Sequence, residues 1–253
     1  MKLKQLLLLI CVVSLTVTGC SKEDGAPVAP KTDDAPAAVT ETTTEKAPAT
    51  PEVKAPAVAA IAFETPDPMF IGTPEEIDVE NLEPPVKGKR APFMAPVGVT
   101  NLAAGKSVSV LDDEEPMYGE LEMITDGDKS AADGSYVELG VFEQYVTIDL
   151  GAEHKLYALL FWHYHKQGRV YNDVIVELST DATFPEDKSI VLFNNDHDDT
   201  YGRGEGKDMN YVDTNAGKLL DAKGHVARYV RLHSNGNNTN DMNHYIEVEV
   251  FGL

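Results

Sequence analysis

Cysteine is nearly absent: the 253 residues contain two, Cys11 and Cys20. Two cannot build a disulfide framework. Tryptophan occurs once and aromatic residues make up 8% of the chain, which argues against a helical membrane bundle. Positive charge is also scarce, with 21 Lys and Arg against 42 Asp and Glu, a formal charge of −21. Nucleic acid is therefore excluded as a partner, because phosphate binding needs clustered Lys and Arg. The same shortage excludes electrostatic adhesion to anionic lipid. A His-Glu-x-x-His hydrolase helix is missing, and so is the Gly-x-x-x-x-Gly-Lys-Ser/Thr phosphate loop. The glycine-rich stretch Gly202 to Lys207 therefore does not bind nucleotide. What remains is 42% hydrophobic and 25% charged, an ordinary globular composition for one or two domains.

The N-terminus reads MKLKQLLLLICVVSLTVTGC. Lys2 and Lys4 form a charged start, and Leu6 to Val13 form an apolar run too short to span a bilayer, which takes about 20 residues. Val17, Thr18 and Gly19 then lead into Cys20. This order resembles the lipobox of bacterial lipoproteins. The resemblance implies a signal peptide over 1–19, cleavage before Cys20, and lipidation (palmitate included) of Cys20 itself. Several acyl chains on one residue anchor stably where one does not. Ser21 rather than Asp after the cysteine implies the outer membrane of the cell envelope, with membrane contact through the lipid anchor only. Cleavage removes both early lysines, leaving 19 basic against 42 acidic residues, a formal charge of −23.

Residues 20–60 are built from Ala, Pro, Thr, Glu, Lys and Val and lack aromatics. Such a segment cannot bury enough surface to offset its ordering entropy, so it reads as a disordered tether. In extended form its forty residues from 21 on reach roughly 100 Å at about 3.1 Å each. Residues 61–97 are apolar but interrupted by many prolines, which exclude helix interiors and central strands. They read as an extended segment wrapping the domain surface, with Phe63, Met69, Phe70, Ile71, Phe93 and Met94 as anchors.

From residue 98 the pattern changes to short runs rich in β-branched and aromatic residues: 145–151, 156–164, 173–179, 189–195, 227–234 and 245–252. Clusters of Asp, Asn and Gly separate them. These features, without a convincing amphipathic helix, predict an all-β fold, an antiparallel β-sandwich over 98–253. Leu156 to Trp162 is apolar throughout and predicts a central strand covered on both faces. The alternation of Ile246 to Val250 sets Glu247 and Glu249 opposite Ile246, Val248 and Val250.

Read in order, residues 101–252 resemble the discoidin family, which includes coagulation factor V/VIII type C domains and family-32 carbohydrate-binding modules. The markers are Asn101-Leu102-Ala103 with Gly105-Lys106, then Ile124-Thr125-Asp126-Gly127-Asp128, then Val146 to Gly151. Ala227 to Leu232 and the closing Ile246 to Gly252 complete the set. The resemblance implies a jelly-roll sandwich of the galactose-binding-domain type. Two features depart from the family: Tyr136 stands where many members carry Trp, and a polar insertion covers 194–224.

The loop Asp126-Gly127-Asp128-Lys129-Ser130 offers two carboxylates and further oxygens, the donors that Ca²⁺ prefers. The resemblance implies that Glu247 from the last strand completes this structural calcium site, with Asp126, Asp128 and Ser130 as its other ligands. His163, His165, His197 and His244 lie near strand ends, with Asp196, Asp198 and Asp199 around His197, an arrangement open to a transition metal.

The turn after Trp162 carries His165, Arg169 and Tyr171, and the insertion carries Tyr201, Arg203 and Tyr211. Asn235, Asn237, Asn238 and Asn240 precede the last strand. Sugar recognition uses an aromatic face and planar polar groups. The expected ligand-binding residues are His163, His165, Arg169, Tyr171, His197, Tyr201 and Arg203, with Arg169 favouring an acidic sugar. The leading reading is a surface-anchored, non-catalytic lipoprotein that binds carbohydrate or a glycoconjugate. Adhesion to an envelope protein partner is the alternative, and a metal-dependent hydrolase ranks third.

Overall fold

The structure, a computed structural model, describes residues 56–70, 76–86, 88–112 and 116–253. The signal peptide, Cys20, most of the tether and Ile71 lie outside the described residues. Within them the chain forms eleven strands, two short 3-10 turns and no α-helix. The first four strands are short: β1 (Val58–Ala60), β2 (Met94–Pro96), β3 (Thr100–Asn101) and β4 (Val108–Val110). Then follow β5 (Val137–Val141), the long β6 (Gln144–Trp162), β7 (Ile175–Ser179) and β8 (Ser189–Asn194). The last three are β9 (Lys218–Ser234), β10 (Met242–Tyr245) and β11 (Glu247–Gly252).

Seven strands make one sheet in the order β3-β11-β6-β9-β7-β8, with β4 also on β6, and every strand pair is antiparallel. A two-stranded sheet, β5 with β10, faces it. The main core lies between them, where Val137, Leu139 and Tyr245 of the small sheet meet Ile148, Phe161, Val176, Leu232 and Val248 of the large one. This is the antiparallel sandwich that the alternation predicts.

The doubly covered strand is also present. On β6, Leu159 and Phe161 enter the main core, while Ala158, Leu160 and Trp162 enter a second cluster on the other face. Trp162 is fully buried and its indole N–H donates to Asn215 O at 3.0 Å.

Several boundaries differ from the sequence reading. The runs 145–151 and 156–164 are one strand bent at an irregularity between Asp149 and His154, where Gly151 takes φ 88° and its N–H donates to Asp149 Oδ1. The insertion is shorter than 194–224, because β9 begins at Lys218 and pairs with Phe161. The polar residues Lys218, Asp221 and Lys223 hide this strand start, while Leu220 and Ala222 point into the core. Ile246 sits in the second cluster with Trp162 rather than beside Val248, since the chain breaks between β10 and β11.

The Pro-rich segment packs onto the second cluster. Its β1 belongs to the stretch read as tether, yet pairs with β2, with Ala59 opposite Ala95. Phe63 stands edge-on to both Phe251, at 5.1 Å between ring centres, and Phe93, at 6.3 Å. Phe70 and Met94 are exposed and do not serve as anchors.

Candidate functional site

Because β7 runs antiparallel to both β8 and β9, the start of β7 lies at the same end of the sandwich as the ends of β8 and β9. Three loops therefore meet there, and between them lies a pocket of about 360 Å³. Four carboxamides line it: Asn172 before β7, Asn195 and Asn210 after β8, and Asn235 after β9. Asp173, His197 and Asp198 complete the lining.

The lining is cross-linked by its own polar groups. Asn195 Oδ1 accepts the Val174 N–H at 2.6 Å, and its amide donates to Asn210 Oδ1 at 2.9 Å. The Asn235 N–H donates to Asn172 O at 3.0 Å, Asn172 Nδ2 donates to Asn235 O at 3.3 Å, and Asn235 Nδ2 donates to Asp173 Oδ2 at 2.8 Å. Asp196 is buried and its carboxylate accepts the Thr200 and Tyr201 N–H groups, which holds the 196–201 turn in place. Gly206 approaches so closely that an added Cβ would lie 2.5 Å from Asn194 Oδ1 and 2.7 Å from Asp196 N. The glycine-rich stretch therefore serves close backbone packing under the pocket.

Asp173, Asp196 and Asp198 bring their oxygens within 4.8 Å of one another, the one such group of three His, Cys, Asp or Glu among the described residues. Burial pushes the Asp173 carboxyl up, against the Asn235 hydrogen bond, and repulsion from Asp196 and Asp198 adds to the rise. No imidazole joins this group. His197 Nε2 lies 2.9 Å from Asp208 O, a contact that occupies the ring. Carboxamides and carboxylates at this density accept and donate to hydroxyl groups in several directions at once. The excess of carboxylate disfavours an anionic ligand.

Of the seven residues expected to bind ligand, His197 alone lines this pocket. Tyr171 and His163 are fully buried and stack on each other at 4.3 Å. His165 is buried with Nε2 3.0 Å from Lys129 O. Arg169 is 9% exposed, with its guanidinium 4.5 Å over the Tyr164 ring and Nη1 3.2 Å from His244 Nδ1. The turn after Trp162 is thus folded inward, because its aromatics complete the core, and neither a Tyr171 stacking face nor an Arg169 preference for acidic sugar survives. Tyr201 donates its hydroxyl to Ser234 O at 2.6 Å, and Arg203 lies 3.4 Å from buried Glu177, so both bind the sandwich itself. Asn172, Asp173, Asn195 and Asn210 are not among the expected ligand-binding residues, and Asp198 is expected only as part of a metal cluster. The signal for Asn172, Asp173 and Asn195 is an Asn-Asp or Asn-Asn pair where a strand begins or ends.

The acidic loop 126–130 lies elsewhere, next to β11. Glu247 is fully buried, and its Oε2 accepts the Gly127 N–H at 3.0 Å, which joins the last strand to the first loop. Asp128 N–H donates to Asp126 Oδ1, and Ser130 N–H to Asp128 Oδ1. Burial, with Glu249 and Asp126 nearby, pushes the Glu247 carboxyl up to about 8. Its Oε1 is buried without a partner, as is Oε2 of Glu249. Lys129 forms an ion pair with Glu249 at 3.0 Å, and no ion pair to Glu247 is formed among the described residues. An orphaned carboxylate oxygen beside a loop of oxygens fits a hard cation. The oxygens of Asp126, Asp128 and Glu247 do not converge within 4.8 Å, so main-chain carbonyls would have to supply the remaining ligands.

No family model matches the sequence, and no curated protein matches it. Similar solved structures do exist. One is the CBM32 of AlyQ in complex with 4,5-unsaturated mannuronic acid, 20% identical, covering 57% of this chain and 93% of that one, with a TM-score of 0.40. Another is chitosan-binding module 1 from a chitosanase/glucanase of Paenibacillus sp. IK-5, 18% identical, covering 60% and 99%, with a TM-score of 0.40. A third is a CBM32 of Clostridium perfringens in complex with GlcNAc-α-1,4-galactose, 16% identical, covering 62% and 96%, with a TM-score of 0.42.

Proposed function

We propose that this protein is a lipid-anchored, non-catalytic binding protein of the bacterial envelope whose end pocket holds a neutral carbohydrate. The observation that carries the reading is the convergence of Asn172, Asn195, Asn210 and Asn235 on one pocket at the sandwich end. Carboxamides offer paired donors and acceptors in a fixed plane, which matches the hydroxyls of a sugar ring. Among the described residues no Phe, Tyr or Trp lines the pocket, so recognition rests on hydrogen bonds. Loss of one neutral bond costs about 0.5–1.5 kcal/mol.

A hydrolase reading fares worse. His163 and Asp213 lie 3.4 Å apart but are buried beneath Tyr171 and Tyr245, where a substrate has no approach. Cys20 anchors the chain through its lipid, and Ca²⁺ is held by Asp126, Asp128, Ser130 and Glu247 as a structural ion.

A glycan array probed with the soluble domain tests the assignment. Neutral glycans should score, and Asn235→Ala should weaken those hits roughly threefold to tenfold. A blank array would overturn the reading and favour an envelope protein as the partner.

A further inference from the structure

A second feature lies away from the end pocket, on the outer face of the large sheet. Val146 and Ile148 of β6 and Val230 and Leu232 of β9 point into the core. Alternation therefore turns Tyr145, Thr147, Asp149, Tyr229 and Arg231 outward. Register sets Ser109 of β4, Thr147, Arg231 and Glu177 of β7 in one row across the sheet. Phe184 and Arg203 cover the β7 end of that row, and Arg203 and His233 both contact the Glu177 carboxylate. The β4 end is open and forms a groove of about 490 Å³.

The floor of the groove is short and hydroxylated, with Ser107, Ser109 and Thr147. Tyr145 and Tyr229 flank it. They stand four strand positions apart, about 13 Å at a rise of ~3.3 Å per residue.

Two charged groups line the groove, Asp149 and Arg231. Asp149 is neutralised by Arg228, whose Nε and Nη2 donate to its two oxygens at 2.7 and 2.8 Å. Arg231 forms no ion pair among the described residues. Its guanidinium is held between the rings of Tyr145, at 4.1 Å, and Phe184, at 4.0 Å. Nε donates to Thr147 Oγ1 at 2.9 Å and Nη2 to Ala182 O at 3.3 Å, with no hydrogen bond from Nη1 among the described residues. A fixed guanidinium with no ion pair among the described residues, the nearby Glu177 carboxylate being engaged by Arg203 and His233, is thus presented in a groove of hydroxyls and tyrosines, on a protein of charge −21.

We propose that this groove is a second binding site, for a sugar chain bearing carboxylates, independent of the end pocket. The guanidinium fork matches a carboxylate. The tyrosines offer apolar contact to neighbouring rings, and the floor hydroxyls bond to sugar hydroxyls. The preference is opposite to that of the carboxylate-rich end pocket, so the two sites are separable by the charge of the ligand.

The test is calorimetric titration of the full-length protein in detergent with oligogalacturonate and with its fully methyl-esterified form, both in the presence of chelator. The acid form should bind at least tenfold more tightly than the ester. Arg231→Gln should remove that difference. Ser109→Trp, which fills the groove from an exposed position without touching the core, should remove binding even if Arg231→Gln fails to fold. Asn235→Ala should leave oligogalacturonate binding unchanged while weakening neutral glycans, so failure here and failure of the end pocket are distinguishable. Equal binding of acid and ester, no binding of either, or wild-type binding by Ser109→Trp would overturn the proposal. Equally tight binding of a polyglutamate peptide would overturn the assignment to sugar.

Discussion

His244 shows how strongly single side chains are committed to the interior. Its ring lies 3.0 Å from Glu138 Oε2 through Nε2 and 3.2 Å from Arg169 Nη1 through Nδ1. The neutral tautomer with its proton on Nε2 donates to Glu138 and accepts from Arg169. Burial pushes the His244 pKa down to about 3, and Arg169 and His163 add to the drop, against a smaller rise from a backbone hydrogen bond at Met242. The unfolded chain takes up this proton below about pH 6.5 and the folded chain does not, so stability is complete above pH 6.5 and is lost as pH falls towards 3. At pH 5 the loss is about 2 kcal/mol relative to pH 7, at ~1.4 kcal/mol per pKa unit. Urea titrations at the two pH values should show that difference, and His244→Gln should flatten it. An unchanged slope in the variant would place the acid sensitivity elsewhere.

Glu247 makes the corresponding case for the cation. At a hundred times its Kd, a bound ion stabilises by about 2.7 kcal/mol. For a domain of this size that is a shift of roughly 5–10 °C in Tm. Chelation should lower the midpoint by that amount, and Glu247→Gln should blunt the response. Identical midpoints with chelator and with excess Ca²⁺ would remove the ion from the account.

At the scale of elements, the strands with regular alternation or unbroken apolar runs were legible in the sequence: β6, β7, β8, the end of β9 and β11. Those hidden were β1 to β4, of two or three residues each, and β5 and β10, whose pairing with each other is long-range. The candidate site was less legible, for a physical reason. Mixed aromatic, His and Arg residues after Trp162 have the composition of a binding loop, but their rings have area to bury and the fold uses it: Tyr171 and Tyr245 close the core over His163. The pocket falls instead to Asn and Asp residues, whose side chains bond to backbone at strand ends and whose composition reads as turn chemistry. The loop-to-strand link through Glu247 came from the family resemblance rather than from local pattern.

The Pro-rich strap was read as surface wrapping, and its anchoring rests on Ile61, Phe63 and Phe93 against the second cluster. Each such side chain contributes up to about 1.5–3 kcal/mol when fully buried. A fragment starting at residue 98 should therefore melt roughly 10 °C below one that retains residues 53–97, and Phe63→Ala should show part of that loss. Equal midpoints for the two fragments would mean that the strap only rests on the surface.

On the scale of the whole molecule, the proposed protein is an acidic sandwich tethered to a membrane, with the carboxamide pocket at one end of the sandwich. The proposed anchor is Cys20, so Cys20→Ser should abolish palmitate labelling and release the chain from the membrane fraction. Unaltered membrane partition of that variant would contradict the lipoprotein assignment. The central claim is the placement of sugar, and a crystal structure of the domain soaked with its strongest neutral glycan tests it most directly. The account predicts a sugar ring seated among Asn172, Asn195, Asn210 and Asn235, with its hydroxyls within hydrogen-bond distance of their amides. A ring bound at another surface, with those four carboxamides untouched, would contradict it.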